Sequence, residues 1–476
     1  MLFNSLTFAI FLPLVFALYW GVAVRNLRLR NAFLVVASYV FYGWWDWRFL
    51  SLIILSSVID YTVGIGLGKT DDAWRRKWLL GTSVVANLGI LGVFKYLGFF
   101  AESLQGCLGA LGMKASFPSL HIILPVGISF YTFQTMSYTI DVYRRKLEPT
   151  RDIAAFLAFV SFFPQLVAGP IERATNLLPQ FSRTKPFCPV LAWDGVLQIA
   201  WGLFKKIVIA DNCATYVNSV FSRSDPAGSA VVLAAVFFSF QIYGDFSGYS
   251  DIAIGTGKLF GFSLMTNFRV PYFSRNIAEF WRRWHISLST WFRDYVYIPI
   301  GGSRCSLLRQ VRNVFVVFLV SALWHGANWT FVVWGLIHAA LFLPGILLKR
   351  NRAYLDTAAQ GRLFPSVREA CQIAATFGCV CIAWIFFRAQ SLAQAGYLVS
   401  RVFTHSLFEI PHPEPSLVLV LVAFVFVEWT QRDARHQFDL SHLPPLPRRL
   451  AYASLATLVI VMGNFFSPAQ FIYFQF

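Results

Sequence analysis

The chain has 476 residues, of which 57% are hydrophobic, 17% aromatic and only 13% charged, and it carries a net charge of +17. With a mean hydropathy of +0.57, this composition excludes an ordinary soluble multi-domain protein, which exposes far more charge. The excess of Lys and Arg lies in short loops between apolar runs, as the positive-inside rule expects, and no nucleic-acid partner is read from it.

The first apolar run, Ala9 to Val24, has no Lys or Arg before it, and Arg25, Arg28 and Arg30 follow it. A membrane helix with its N-terminus outside is expected there, in preference to a cleaved signal peptide. A span needs about 20 apolar residues. Runs of that kind occupy 3–24, 49–67, 78–100, 121–140, 152–169, 228–243, 313–326, 328–348, 369–387, 414–429 and 450–466, and shorter or interrupted ones occupy 31–44 and 194–210. The expected fold is an all-α integral membrane protein of about 11 transmembrane helices plus short re-entrant or interfacial helices. It forms a single membrane-embedded domain over residues 1–476.

Basic loops at 25–30, 69–77 and 141–151 are each separated from the next by two crossings, so all three can face the cytoplasm. Two later stretches, 170–190 and 265–312, are rich in Arg, Trp, Pro and Gly. They are too polar for simple spans and too aromatic for solvated loops. Non-helical backbone at membrane depth survives only when protein covers it or it lines a water-filled cavity, so an enclosed chamber is expected. The segment Phe163–Arg173, with Pro164, Pro170 and Gly169, reads as a broken, re-entrant helix. The seven cysteines are odd in number and lack a C-x-x-C pair. They read as reduced, mostly apolar fillers, with neither a disulfide framework nor a metal site.

Two stretches carry chemistry. In Trp281 to Tyr295, the residues Trp281, Trp284, Leu288 and Trp291 recur at helical spacing and mark one face, with His285 beside it and Arg282, Arg283 and Arg293 supplying charge. An interfacial amphipathic helix with aromatic anchors explains that pattern equally well. The second stretch is Ser321-Ala-Leu-Trp-His-Gly-Ala-Asn-Trp329. Helical rise from Asn313 puts His325 roughly 18 Å into the membrane, where an ionisable side chain is costly and marks a functional site by default. A neutral histidine satisfied by a backbone carbonyl is the plainer alternative.

Histidine suits acyl transfer to a hydroxyl because a buried, neutral imidazole can take the hydroxyl proton. Gly326 allows close approach, and Trp324 and Asn328 can shape and hydrogen-bond a pocket. No G-x-S-x-G elbow is present, so direct transfer from an activated thioester is preferred over an acyl-enzyme. Asp60, Asp245, Asp251 and Glu279 lie at membrane depth. The acidic run Tyr243–Asp251 is read as a source of internal ion pairs rather than a metal loop, with Arg269, Arg275, Arg282 and Arg283 following it. His338 reads as structural.

Taken together, Trp281–Gly302, Ser321–Trp329, Pro164–Arg173 and Tyr243–Asp251 resemble the membrane-bound O-acyltransferase family, and within it the bacterial branch of the alginate O-acetyltransferase membrane subunit and the teichoic-acid D-alanyl transfer protein. The likeness runs from Tyr39 to the terminal Phe471–Phe476 and leans to the alginate side. It implies a ring of membrane helices around a thin core with a channel from each side. It also implies His325 and His285 as catalytic histidines, with Trp324, Asn328, Trp284 and Arg283 as substrate-binding neighbours.

The implied donor is a cytoplasmic acyl thioester, acetyl-CoA above all, with no bound cofactor. The implied product is an O-acetylated exported polysaccharide, alginate foremost. The implied setting is the bacterial inner membrane, with membrane lipid and periplasmic acetyltransferase proteins of a polysaccharide-export complex as partners. D-alanyl transfer to an envelope polymer, a transporter without chemistry and a non-catalytic scaffold are the competing readings. The topology has a direct test. Cysteines introduced at 25–30, 69–77 and 141–151 are expected to resist an impermeant thiol reagent in intact cells, and ready labelling overturns the orientation.

Overall fold

The computed structural model describes residues 1–113, 123–434, 436, 438–441, 443–465 and 469–472. Residues 121 and 122 of the expected span 121–140, residue 466 of 450–466, and the terminal 473–476 of the family likeness lie outside the described residues. Among the described residues every regular element is a helix. Six helical stretches are long and apolar enough to cross a membrane: Leu27–Gly68, Ala73–Ala110, Gly228–Leu259, Leu307–His325, Trp329–Leu347 and Val367–Arg388. The first contains two expected spans, 31–44 and 49–67, joined by a single 3-10 turn at Trp47–Phe49. Two shorter apolar helices, Leu6–Gly21 and Pro415–Thr430, complete the apolar set. The chain is thus a multi-pass membrane protein.

The molecule divides into two compact units, one made of Met1–Gly195 with Thr256–Met265, the other of Val196–Gly255 with Thr266–Phe476. In the first unit, Asn26 and Asp72 cap their helices by accepting from the backbone N–H groups of Arg28 and Arg75. These caps satisfy donors that the helix itself cannot. The basic loops are shorter than the sequence implied. Arg30 sits in the first turns of Leu27–Asp46, is only 1% exposed, and donates to the carbonyls of Phe181 at 2.7 Å and Arg183 at 2.6 Å. Arg76 is likewise buried, on the carbonyls of Leu67 and Tyr143. A guanidinium has five donors, so a cluster of carbonyls can hold it where water is absent.

Asp60 is held by neutral groups, Ser83 Oγ at 2.5 Å and Asn87 Nδ2 at 2.8 Å, and not by an ion pair. The segment expected to break does so. After the four-residue helix Phe163–Leu166, the backbone runs without regular structure through Pro170 to Arg173, and all of it is buried. Close packing explains Gly169, where a Cβ would stand 2.4 Å from the Cα of Gln165.

In the second unit, the acidic run Tyr243–Asp251 lies inside the helix Gly228–Leu259. Its carboxylates are ion-paired as expected, but with lysines and not with the arginines that follow. Lys206 meets Asp211 at 2.7 Å and Asp245 at 2.8 Å, and Lys205 meets Asp251. The lysines come from a π-helical turn, Phe204–Ala210, inside the expected span 194–210. The arginines serve elsewhere. Arg275 and Arg283 both grip Glu279, and Arg275 also reaches Asp356 at 2.9 Å in the polar connection that follows Leu347.

Hydrogen bonds from Arg275 hold the Asp356 carboxyl below the usual carboxylate range. A depressed value means that the contact is present at neutral pH and is lost as pH falls through the folded-state value. Amide hydrogen-exchange protection across residues 351–359 is therefore expected to drop on acidification below about pH 4, and Asp356→Asn should show the loosened pattern already at neutral pH. Protection that is indifferent to both changes contradicts this anchoring.

Candidate active site

The stretch from Trp281 does not form one helix. The helix Ile277–Arg283 ends at Trp284, and a new helix, Ile286–Phe292, begins after His285. His285 has φ 44°, a left-handed conformation that costs a non-glycine residue about 1–3 kcal/mol. Two backbone hydrogen bonds hold the break, Ile286 N–H to the Asn267 carbonyl at 2.8 Å and Arg269 N–H to the Arg283 carbonyl at 3.0 Å. The expectation of a continuous face through Trp284 and Leu288 fails for this reason: an extended segment pairs with the chain where the helix would have run.

The imidazole of His285 is fully buried. Its Nδ1 lies 3.0 Å from Asn267 Oδ1, and its ring meets Phe246 edge-on at 4.5 Å and Trp324 at 5.8 Å. His325 is the last residue of the helix Leu307–His325 and is 3% exposed. That helix begins before Asn313, so residues 307–312, including Arg309 and Arg312 of the basic stretch, are helical as well. The His325 ring packs on Trp324 at 5.0 Å, on Trp334 at 5.1 Å and on Phe387 at 5.5 Å. One indole, that of Trp324, therefore contacts both histidines. The carbonyl end of a helix also favours a cation formed beside it, as an imidazolium would be.

A third histidine joins this wall. His338, from the helix Trp329–Leu347, packs against Trp334 at 4.9 Å and Trp281 at 5.0 Å. Trp281 Nε1 donates to His338 Nδ1 at 3.3 Å. An indole N–H can only donate, so a neutral His338 carries its proton on Nε2. The sequence placed His338 thirteen residues after His325. Spacing alone could not reveal the shared wall, because the turn Gly326–Asn328 folds the two helices back on each other.

The other site candidates fall in three places. Trp284 is buried beside Phe268, Tyr272, Phe280 and Trp384. Arg283 is occupied by Glu279 at 2.9 Å and by the Asp356 carbonyl at 2.8 Å. Asn328 caps the helix Trp329–Leu347, accepting from Thr330 N–H at 2.9 Å and donating to the Gln390 carbonyl at 3.2 Å. Among the described residues no group of three or more His, Cys, Asp or Glu side chains is placed to hold a metal ion.

Beside the histidine wall opens a cavity of about 500 Å³. Trp281, Phe318 and Ser321 are among the residues that line it, and Arg282, Arg293 and Arg352 supply positive charge. Ser321 stands one helical turn before His325. Apolar walls with a few convergent cationic groups are the usual make-up of a small-molecule site.

A family model for the membrane-bound O-acyltransferase family matches residues 39–382, which includes all three histidines. The chain belongs to the membrane-bound O-acyltransferase family. It is an O-acyltransferase by that membership. Its relatives include the probable alginate O-acetylase AlgI of Azotobacter vinelandii, 41% identical over 85% of this chain and 78% of that one. The peptidoglycan O-acetyltransferase of Helicobacter pylori is 36% identical over 83% of this chain and 78% of that one. The teichoic acid D-alanyltransferase of Bacillus subtilis is 29% identical over 57% of this chain and 71% of that one.

The O-acyltransferase wall depends on one close helix crossing. A Cβ on Gly335 would stand 2.7 Å from the Phe318 carbonyl oxygen and 2.8 Å from the Ala322 Cβ. Gly335→Ala is expected to cost about 1–3 kcal/mol through overpacking and to lower the apparent melting temperature of the detergent-solubilised protein. An unchanged melting curve contradicts the close crossing.

Proposed function

We propose that the chain moves an acetyl group from a cytoplasmic thioester to a hydroxyl of an exported polysaccharide, alginate in the first instance, with His325 as the general base. The observation that carries this reading is the pair of buried histidines packed against one tryptophan, Trp324. The likeness to the alginate O-acetylases, which covers most of the chain, supports the choice of polymer. The likeness to the D-alanyltransferases covers little more than half of it and supports the alternative acyl group less well.

In this mechanism the hydroxyl oxygen attacks the thioester carbonyl while its proton passes to the imidazole of His325. A carbon–oxygen bond forms and the carbon–sulfur bond breaks. The departing thiolate recovers the proton from the imidazolium, so the base is regenerated and no acyl-enzyme forms. The arginine-lined cavity suits a phosphopantetheine thioester such as acetyl-CoA. Arg293 and Arg352 would face its phosphates, because guanidinium groups bind phosphate through paired N–H donors, and Arg282, held by the Asn351 and Tyr354 carbonyls, would add positive charge. The apolar part would take the pantetheine arm and lead past Ser321 toward His325. Trp324 and Trp284 would exclude water.

In this reading the protein lies in the bacterial inner membrane with its N-terminus outside and its helices ringed around a channel that the acceptor approaches from the periplasm. Periplasmic acetyltransferase proteins of the export complex are its proposed partners. A pure transporter or scaffold has no use for a base enclosed by Trp324, Trp334 and Phe387.

A single acid–base residue contributes about 10²- to 10⁴-fold in rate. His325→Ala is therefore expected to nearly abolish polymer acetylation while expression, insertion and polymer export persist. His325→Gln keeps much of the size without the basicity and should fail almost as badly. Full acetylation by the Gln variant excludes proton abstraction by His325.

A further inference from the structure

We infer that Asn267 is a positioning residue that fixes the tautomer of His285, so that His285 Nε2 serves the reaction only as a hydrogen-bond acceptor. The inference rests on the acyl-transfer reading and narrows what His285 does within it. The orientation of the Asn267 amide decides the matter. Its Oδ1 receives the backbone N–H of Ser287 at 3.4 Å and Ser287 Oγ at 2.9 Å. Its Nδ2 donates to Ser250 Oγ at 2.9 Å. A backbone N–H can only donate, so the atom facing it must be the amide oxygen. That same oxygen lies 3.0 Å from His285 Nδ1, and two acceptors cannot share a hydrogen bond. Nδ1 must therefore carry the proton, and Nε2 of the neutral ring must carry the lone pair.

Nε2 is buried and makes no hydrogen bond to any described residue. A hydroxyl or a water can donate to it. A thioester carbonyl cannot be polarised by it, because that requires an N–H. The geometry thus chooses between two roles open to a histidine here: His285 accepts a hydrogen bond from a hydroxyl or a water that it orients, and His325 takes the reacting proton. His285 also differs from His338, whose Nδ1 accepts from Trp281 and whose Nε2 is the protonated nitrogen. The wall therefore holds one ring with its lone pair set at Nε2 and another with its proton set there.

The surroundings of His285 allow a clean pH test. On the helix Gly228–Leu259 the nearby titratable groups are Asp245 and Asp251, which are engaged by Lys206 and Lys205. On the helix Leu307–His325 it is His325, beyond Trp324. On its own segment Glu279 is taken by Arg275 and Arg283, and Arg269 on the paired segment is exposed. The direct polar partner of the ring is neutral Asn267.

The experiment uses the full chain in native membranes, with radiolabelled acetyl-CoA as donor and mannuronate oligosaccharides as acceptor, across a pH series. Asn267→Leu removes the acceptor for Nδ1–H, and kcat should fall by about 10²-fold or more, with KM for acetyl-CoA unchanged. Asn267→Asp still accepts from Nδ1–H and adds a negative charge, which favours the imidazolium. It should retain activity and move the acidic limb of the kcat profile to higher pH by about 1–3 units. A normal rate and profile in the Leu variant overturns the inference, as does equal loss in the Asp and Leu variants when both extract as monodisperse protein. If Leu fails to insert, the pH shift in Asp decides alone. His285→Ala run in parallel separates the two levels: unchanged turnover there removes His285 from the reaction altogether, whereas loss there with an unaffected Asn267→Leu sinks only the tautomer assignment.

Discussion

A polar atom removed from water into an apolar surrounding must find a partner, at a cost of several kcal/mol if it does not. Most of the unusual local structure in this protein follows from that constraint. Arg30 and Arg76 are buried on backbone carbonyls. Asp60 rests on a serine and an asparagine. Lys205 and Lys206 are surrounded by Asp251, Asp245 and Asp211. Removing one partner of such a group leaves an uncompensated buried charge, which costs about 3–5 kcal/mol, so these contacts specify the fold even where their net contribution is small. The break at His285 belongs to the same class. Residues 267–269 pair with 283–286 through backbone hydrogen bonds, and the strained φ of His285 is tolerated because those bonds and the Asn267 side chain determine it.

The same constraint shapes the chemistry. Indole and phenyl rings pack closely around His325, and in the acyl-transfer reading its imidazole would meet an incoming hydroxyl in an apolar setting, where hydrogen bonds are stronger than in water. The arginine-lined cavity supplies the opposite environment a helical turn away. A thioester with a charged, phosphate-bearing end and an apolar arm matches that gradient.

Much of this was legible in the sequence, and the exceptions have physical causes. The apolar runs marked the helices because burial in lipid requires length and hydropathy, which are local properties. Trp324-His325-Gly326 stood out because a histidine is rare at that depth. Helix ends were less legible. Arg30 and Arg76 lie inside helices because a long side chain can reach carbonyls beyond its own turn, and composition alone suggests loops. The lysine partners of Asp245 and Asp251 were missed because arginines were closer in sequence, whereas a π-turn 35 or more residues earlier brings Lys205 and Lys206 to them. Asn267 gives no local signal, and His338, read as structural, gives none of its contact with Trp281. Each acquires its role through one hydrogen bond to a residue on another element, and only the coordinates carry that information.

The central claim is geometric: one acceptor hydroxyl and one thioester carbonyl meet beside His325. The most direct measurement is a cryo-electron microscopy structure of the protein with an unreactive thioether analogue of acetyl-CoA and a mannuronate oligosaccharide bound together. The account predicts the analogue's phosphates near Arg282, Arg293 and Arg352. It predicts the acetyl-equivalent carbon about 3–3.5 Å from a sugar hydroxyl, and that hydroxyl within hydrogen-bonding distance of a histidine on the Trp324 wall. An analogue seated with its reactive end away from His325, or a sugar hydroxyl that approaches neither histidine, contradicts it.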